Sequence, residues 1–223
     1  MKILHILAYG LPRRNGYTLR SHNIFLAQKK IGLEPIACTL NIENKDVLPD
    51  YHYEDSILYY HNNYSSKNYT NISSKTLSLF RTLLRFSLVS TRYNELLINT
   101  YLSAQHIVKI AKNENIQIIH AHSPFYCGLA AQLASQIIQI PYVYEIRGLW
   151  HLSGVAEKQY SENDFVYRFY NICESYVIRQ CPKVFIIGKS LQNEITNWGI
   201  DNTKFTIVSN AIAPEKFIPQ QKD

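Results

Sequence analysis

The stretch Ile116–Trp150, IQIIHAHSPFYCGLAAQLASQIIQIPYVYEIRGLW, constrains this chain more than any other. It reads as a buried strand over Ile116–Ala121, a polar turn His122-Ser123-Pro124, a helix of small and apolar residues, and a second buried strand over Tyr142–Ile146. A charged tip, Glu145-Ile146-Arg147-Gly148, closes it. Strand, polar crest, helix and strand make a βαβ unit, and ligands of open α/β sheets lie beyond the carboxyl ends of such strands. Chemistry is therefore expected at the two crests, His120/His122 and Glu145/Arg147.

The same alternation runs along the whole chain. Further strands are predicted at 3–8, 34–40, 56–61, 183–187 and 204–209, and helices at about 18–31, 75–90, 93–113, 162–180 and 189–198. Gly32 reads as the stop of the first helix. Strands separated by helices of this length predict the α/β class and a doubly wound, Rossmann-like parallel sheet. One domain over 1–213 is expected, with 214–223 as a linker or tail and the Asn/Tyr/Ser-rich 62–74 as a surface loop.

With 46% apolar residues the chain can build a large core, which excludes wholesale disorder. Cys38, Cys127, Cys173 and Cys181 form no CxxC pair, which disfavours structural zinc and suits a reducing compartment. The apolar start, Lys2–Ala8, reads as a first strand and not as a signal peptide, and no apolar run is long enough to span a membrane. A cytoplasmic location is expected.

The net charge of +6 is concentrated in residues 1–36 and 61–112. Such a bias suits phosphate, anionic lipid or nucleic acid, or is simply a solvated surface. No nucleic-acid motif or basic-aromatic groove accompanies it, so nucleic acid is not an expected partner. Within 75–92, Arg81, Arg85 and Arg92 share a ridge roughly opposite Leu79, Leu83 and Phe86. That helix either touches an anionic membrane surface or packs its leucines on the sheet.

The loop Tyr9–Arg20 joins the first strand to the first helix. Glycine there lets backbone approach a ligand, a helix N-terminus offers N–H groups to an anion, and Arg13, Arg14 and Arg20 would reinforce that. The dinucleotide fingerprint GxGxxG is absent, which disfavours a nicotinamide cofactor. The alternative is a plain strand-to-helix turn. His120 is expected within the sheet, whereas His122, at the strand exit, is expected to reach solvent or ligand. No third metal ligand is evident, so the two are not read as a metal pair. Glu145 and Arg147 either pair with each other or present the Arg147 fork to an anionic or polyhydroxyl ligand. Glu174, on a helix, reads equally as a core carboxylate.

Taken together, these segments resemble the N-terminal domain of GT-B glycosyltransferases of the GT4 type, nearest the subgroup of exopolysaccharide and exosortase gene clusters. The carrying residues are Lys2–Ala8 with Leu11-Pro12, Gly16-Tyr17-Thr18-Leu19-Arg20-Ser21, Ile118–Pro124, Pro141–Trp150 and Phe205–Ile212. The resemblance covers nearly all of the chain and is weakest over 41–110. It implies an acceptor-recognising domain that works with a C-terminal donor-binding domain, transferring a sugar from a nucleotide-sugar with retention and without a required metal or cofactor. It also implies catalytic roles for Arg147 and His122, and substrate contacts from Gly16, Tyr17, Thr18, Arg20, Ser123, Glu145 and Asn210. Many members carry a histidine at the crest that Arg147 occupies here, as in the nearer subgroup.

Two departures accompany the resemblance. The family's closing Asn-Gly-hydrophobic-Asp is here Asn210-Ala211-Ile212-Ala213, and no donor-binding domain lies within the 223 residues. The chain is therefore expected to be inactive alone and to need a donor-binding partner, with a glycan or lipid-linked acceptor as substrate in bacterial polysaccharide or surface-glycan assembly. The competing expectation is a non-catalytic module that holds such an acceptor.

Overall fold

The computed structural model describes residues 1–42, 48–63 and 91–211. The expected helix at 75–90, most of the loop at 62–74 and the tail from 212 onward lie outside the described residues.

Apolar runs become the sheet. The strands are β1 (Lys2–Leu7), β2 (Glu34–Thr39), β3 (Tyr51–Glu54), β4 (Ile57–His61), β5 (Ile118–His122), β6 (Tyr142–Ile146), β7 (Val184–Ile186) and β8 (Phe205–Ile207). They lie in the order β3-β4-β2-β1-β5-β6-β7-β8, parallel throughout except for the β3–β4 hairpin. This is the predicted doubly wound α/β sheet. The central strand β1 is covered on both faces, with Leu4 and Ile6 in one apolar cluster and Leu7 in another.

The helices are α1 (Gly16–Lys30), α2 (Thr91–Asn113), α3 (Phe125–Ile138), α4 (Trp150–Ala156), α5 (Phe165–Gln180) and α6 (Lys189–Thr196). Helix α3 is clamped between α2, α5 and strands β1, β5 and β6. Its first ten residues, Phe125–Ala134, are all buried. Small side chains make this possible: a Cβ on Gly128 would fall 2.5 Å from Val177 Cγ1 and 3.0 Å from the Tyr144 ring. Helix α1 covers the opposite face, where Phe25 meets Leu7, Ala37 and Tyr59.

Helix α1 starts at a capping box. Asn15 Oδ1 accepts from the Thr18 N–H at 3.0 Å, and Thr18 Oγ1 accepts from the Asn15 N–H at 3.0 Å. It ends at Gly32, whose φ of +81° is the left-handed stop the sequence predicts.

Three elements differ from expectation. Strand β5 extends to His122, because its ladder with β6 continues to a bond from the Ser123 N–H to the Glu145 carbonyl at 2.8 Å. Strand β3 is an addition; Asp55 and Ser56, with φ of +48° and +60°, close a two-residue hairpin turn that brings Tyr51–Glu54 back against β4. Helix α4 is a further short addition before α5.

Candidate functional site

Register brings the site together. In the β1–β5 ladder His5 stands opposite His120, and in the β5–β6 ladder His122 stands opposite Glu145. Alternation on β5 sends both of its histidines to the face under α1, where their rings stack 4.3 Å apart. Helix α1 then lowers Tyr17, Arg20, Ser21 and Gln28 onto the same patch.

Glu145 is the hub. Its Oε1 accepts from Arg20 Nη2 at 2.8 Å and from Arg147 Nε at 3.0 Å. Its Oε2 lies 3.2 Å from His122 Nδ1 and 3.3 Å from His120 Nε2. The Glu145 side chain is only 5% exposed, against 18% for Arg20 and 9% for Arg147. Burial alone would push this carboxyl up. The neighbouring His122 and His120 and the Arg147 guanidinium together outweigh that and hold it far below the ordinary carboxylate range. Glu145 is therefore ionised at any physiological pH.

Arg147 is gripped from several sides. Nη1 donates to Ser21 Oγ at 2.7 Å and to the Tyr17 carbonyl at 3.2 Å, and Nη2 approaches His122 Nδ1 at 2.7 Å. Its guanidinium lies 5.0 Å from the Tyr17 ring centre, and its own N–H donates to Ser123 Oγ at 3.1 Å. Four of the five guanidinium N–H groups are thereby engaged. Arg20 is less committed: its Nε is buried without a hydrogen-bond partner among the described residues.

The structure gathers most of the residues that the sequence singles out, in unequal roles. Arg20, Tyr17, Ser123, Glu145, Arg147, His120 and His122 form one cluster. Thr18 is buried, with its hydroxyl occupied by the capping box. Gly16 is the exposed first residue of α1, and a Cβ there would meet nothing within 4 Å. Asn210 is exposed beyond β8, and no described contact joins it to the cluster. The histidines exchange their expected places. His122 is fully buried because β5 continues through it beneath α1, whereas the His120 side chain keeps 12% exposure. His122 thus acts on its neighbours and does not face solvent.

His5, Ser21 and Gln28 were not singled out. His5 carried the one available signal, a lone polar residue within the buried run of β1.

His5 also supplies the third histidine that the sequence does not reveal. One nitrogen each from His5, His120 and His122 lies within 4.8 Å of the others. Ring geometry argues against a chelate. His5 Nδ1 and His122 Nε2 are 3.0 Å apart, with ring centres 5.3 Å apart and planes at 25°, so the nitrogens point almost directly at each other. A shared ion needs both lone pairs turned to a third point. It would also sit beside two guanidinium groups. The donor set fits a hydrogen-bonded chain better than a metal.

Fold and comparisons agree on the class, the Rossmann-like domain of GT-B glycosyltransferases. Residues 57–216 match the family model of Glycosyltransferase Family 4, and the chain belongs to that family. Among solved structures, a glycosyltransferase from Rickettsia africae superposes with a TM-score of 0.52 at 15% identity, covering 96% of this chain and 47% of that one. Anabaena Alr3699/HepE, solved in complex with UDP, gives 0.55 at 14% identity over 95% of this chain and 44% of that one. A Neisseria meningitidis UDP-GlcNAc 2-epimerase bound to UDP-GlcNAc gives 0.50 at 14% identity over 93% and 45%. The chain thus spans about half the length of these structures. No match was found among curated proteins.

Proposed function

We propose that this chain is the acceptor-side domain of a retaining glycosyltransferase, which takes its sugar from a nucleotide-sugar held by a donor-binding domain outside the 223 residues. The observation that carries the proposal is the Arg20–Glu145–Arg147 ladder at the carboxyl edge of the sheet, beside the N-terminus of α1. The edge presents the partly exposed Arg20 and the sterically free Gly16. Anionic phosphate and sugar hydroxyls are the chemistry such a surface takes.

Glu145 keeps two guanidinium groups close without net repulsion, and Arg147 is held rigid so that it can stabilise charge that develops during transfer. Substrate contacts fall to Gly16, Arg20 and the uncommitted edge of Arg147, with Tyr17, Ser123 and His122 holding those groups in place. Asn210, exposed beyond β8, is kept as a substrate contact on the family resemblance alone. The acceptor is a glycan or lipid-linked glycan, and bacterial polysaccharide or surface-glycan assembly is the setting the family resemblance supports. Work beside a membrane would suit a lipid-linked acceptor; among the described residues no helix is long and apolar enough to cross one.

UDP is named in complex with the Anabaena neighbour, which supports a nucleotide-sugar donor without identifying the sugar. The epimerase neighbours share the fold, so the fold alone does not choose between transfer and epimerisation.

The test is a transfer and hydrolysis screen over UDP- and GDP-sugars, with this chain alone and together with a donor-binding domain. Turnover only in the combination is the expected result. Acceptor binding without turnover in the combination would replace the proposal with a non-catalytic acceptor-binding module.

A further inference from the structure

A line of hydrogen bonds, buried at its centre and partly buried at its ends, runs behind Arg147. Gln28 Oε1 on α1 meets His5 Nε2 on β1 at 2.8 Å, His5 Nδ1 meets His122 Nε2 on β5 at 3.0 Å, and His122 Nδ1 meets Arg147 Nη2 at 2.7 Å. His5 and His122 are fully buried.

Chemistry gives this line a direction. A guanidinium can only donate, so His122 Nδ1 accepts and carries no proton. A neutral His122 then bears its proton on Nε2 and donates to His5 Nδ1. His5 must bear its proton on Nε2, and it donates to the Gln28 amide oxygen. One orientation of Arg147 thus fixes two tautomers and one amide. Burial, reinforced by Arg147 and His120 at His122 and by His120 and His122 at His5, holds both imidazoles well below the ordinary histidine range. Both therefore stay neutral, each with the single N–H this pattern needs.

The opposite polarity is sterically available. A turned Gln28 amide would donate to His5, His5 to His122, and His122 Nδ1–H to Glu145 Oε2, 3.2 Å away. Arg147 Nη2 would then face an N–H and be driven off. The two polarities exclude each other, and only one keeps Arg147 where it stands.

We propose that Gln28 and His5 are positioning residues, which hold His122 as its Nε2–H tautomer and thereby aim the one uncommitted N–H of Arg147 at the carboxyl edge of the sheet. Its catalytic consequence rests on the glycosyltransferase proposal; its structural content does not.

Long-range ¹H–¹⁵N spectra of the full chain with ¹⁵N-labelled histidine test it directly. Both His5 and His122 are expected as Nε2–H tautomers at pH 7.5. Gln28→Leu should leave His122 a mixture of tautomers, and Gln28→Glu, which restores an oxygen acceptor, should return the wild-type pattern. Protonation of His122 at Nδ1 in the wild type overturns the proposal, as does a His122 signal unchanged in Gln28→Leu. Should that variant not fold, the wild-type spectrum decides alone. In the transfer assay with a donor-binding domain, Gln28→Leu should lower kcat about tenfold with little change in KM, and Gln28→Glu should recover it. The predicted tautomers without any transfer would uphold the relay and reject the glycosyltransferase proposal.

Discussion

Arg20 reaches Glu145 across 125 positions of sequence, Nη2 to Oε1, at 2.8 Å. The bond ties the first helix to the end of the sixth strand, and Arg147 closes on the same oxygen at 3.0 Å. One carboxylate thus makes two cations compatible within a largely buried patch. Removing it strands both.

Glu145→Gln should accordingly destabilise the domain by about 3 kcal/mol, the usual result of breaking a buried ion pair from one side. Urea denaturation at pH 7 measures it. The folded-state pKa of Glu145 is depressed, so its contribution is present above the unfolded value near 4.5 and is lost as pH falls toward the much lower folded value. The gap between wild type and Glu145→Gln should therefore persist from pH 7 to pH 5 and narrow only in stronger acid.

Glu174 carries the opposite sign. It lies buried under α3, accepts from the Tyr144 hydroxyl at 2.7 Å, and is pushed up to about 7 by burial, against hydrogen bonds from Tyr144 and the Phe125 backbone. A raised folded pKa means that stability is fullest below the unfolded value of about 4.5 and declines as pH rises through about 7. Glu174→Gln should remove that decline and be more stable than wild type at pH 8 by an amount on the order of 3 kcal/mol. Thermal melts from pH 5 to pH 8 check this; parallel curves for the two proteins would refute it.

Gly16 separates folding from function. With no neighbour within 4 Å of a Cβ, Gly16→Ala should leave Tm unchanged within a few degrees or raise it through better helix propensity. Gly16→Trp should fold as well but lower kcat/KM for transfer by more than tenfold, because it fills the approach at the head of α1. Equal activity of the three proteins would place the ligand elsewhere.

The capping box supports that approach. Asn15→Ala should cost about 1 kcal/mol, visible in urea melts, by leaving the Thr18 N–H without its acceptor.

How much of this was legible in the sequence differs residue by residue. The apolar runs around Leu4, Ile119 and Tyr144 announced buried strands, and the intervening helices announced a parallel sheet, because burial on both faces leaves a continuous apolar signature. Glu145 and Arg147 could be placed on one face from alternation alone. His5 could not be joined to His122, since their contact follows from β1 lying beside β5, and strand order is not written in any local pattern. Arg20 met Glu145 for a similar reason: its partner depends on where α1 crosses the sheet. His122 was expected to reach solvent or ligand because Ser123-Pro124 looked like a turn already begun, yet the ladder with β6 held one residue longer. Strand β3 was missed because Tyr51–Glu54 is short and half exposed, with its pairing set by the left-handed Asp55 and Ser56.

The most direct test of the central claim is the rate of sugar transfer by this chain combined with a donor-binding domain, comparing wild type with Arg147→Lys. Lysine keeps the charge but cannot bond Glu145, Ser21, Tyr17 and His122 at once. A fall in kcat of at least a hundredfold with Tm held within a few degrees is the predicted result. Transfer at the wild-type rate by Arg147→Lys would contradict the account.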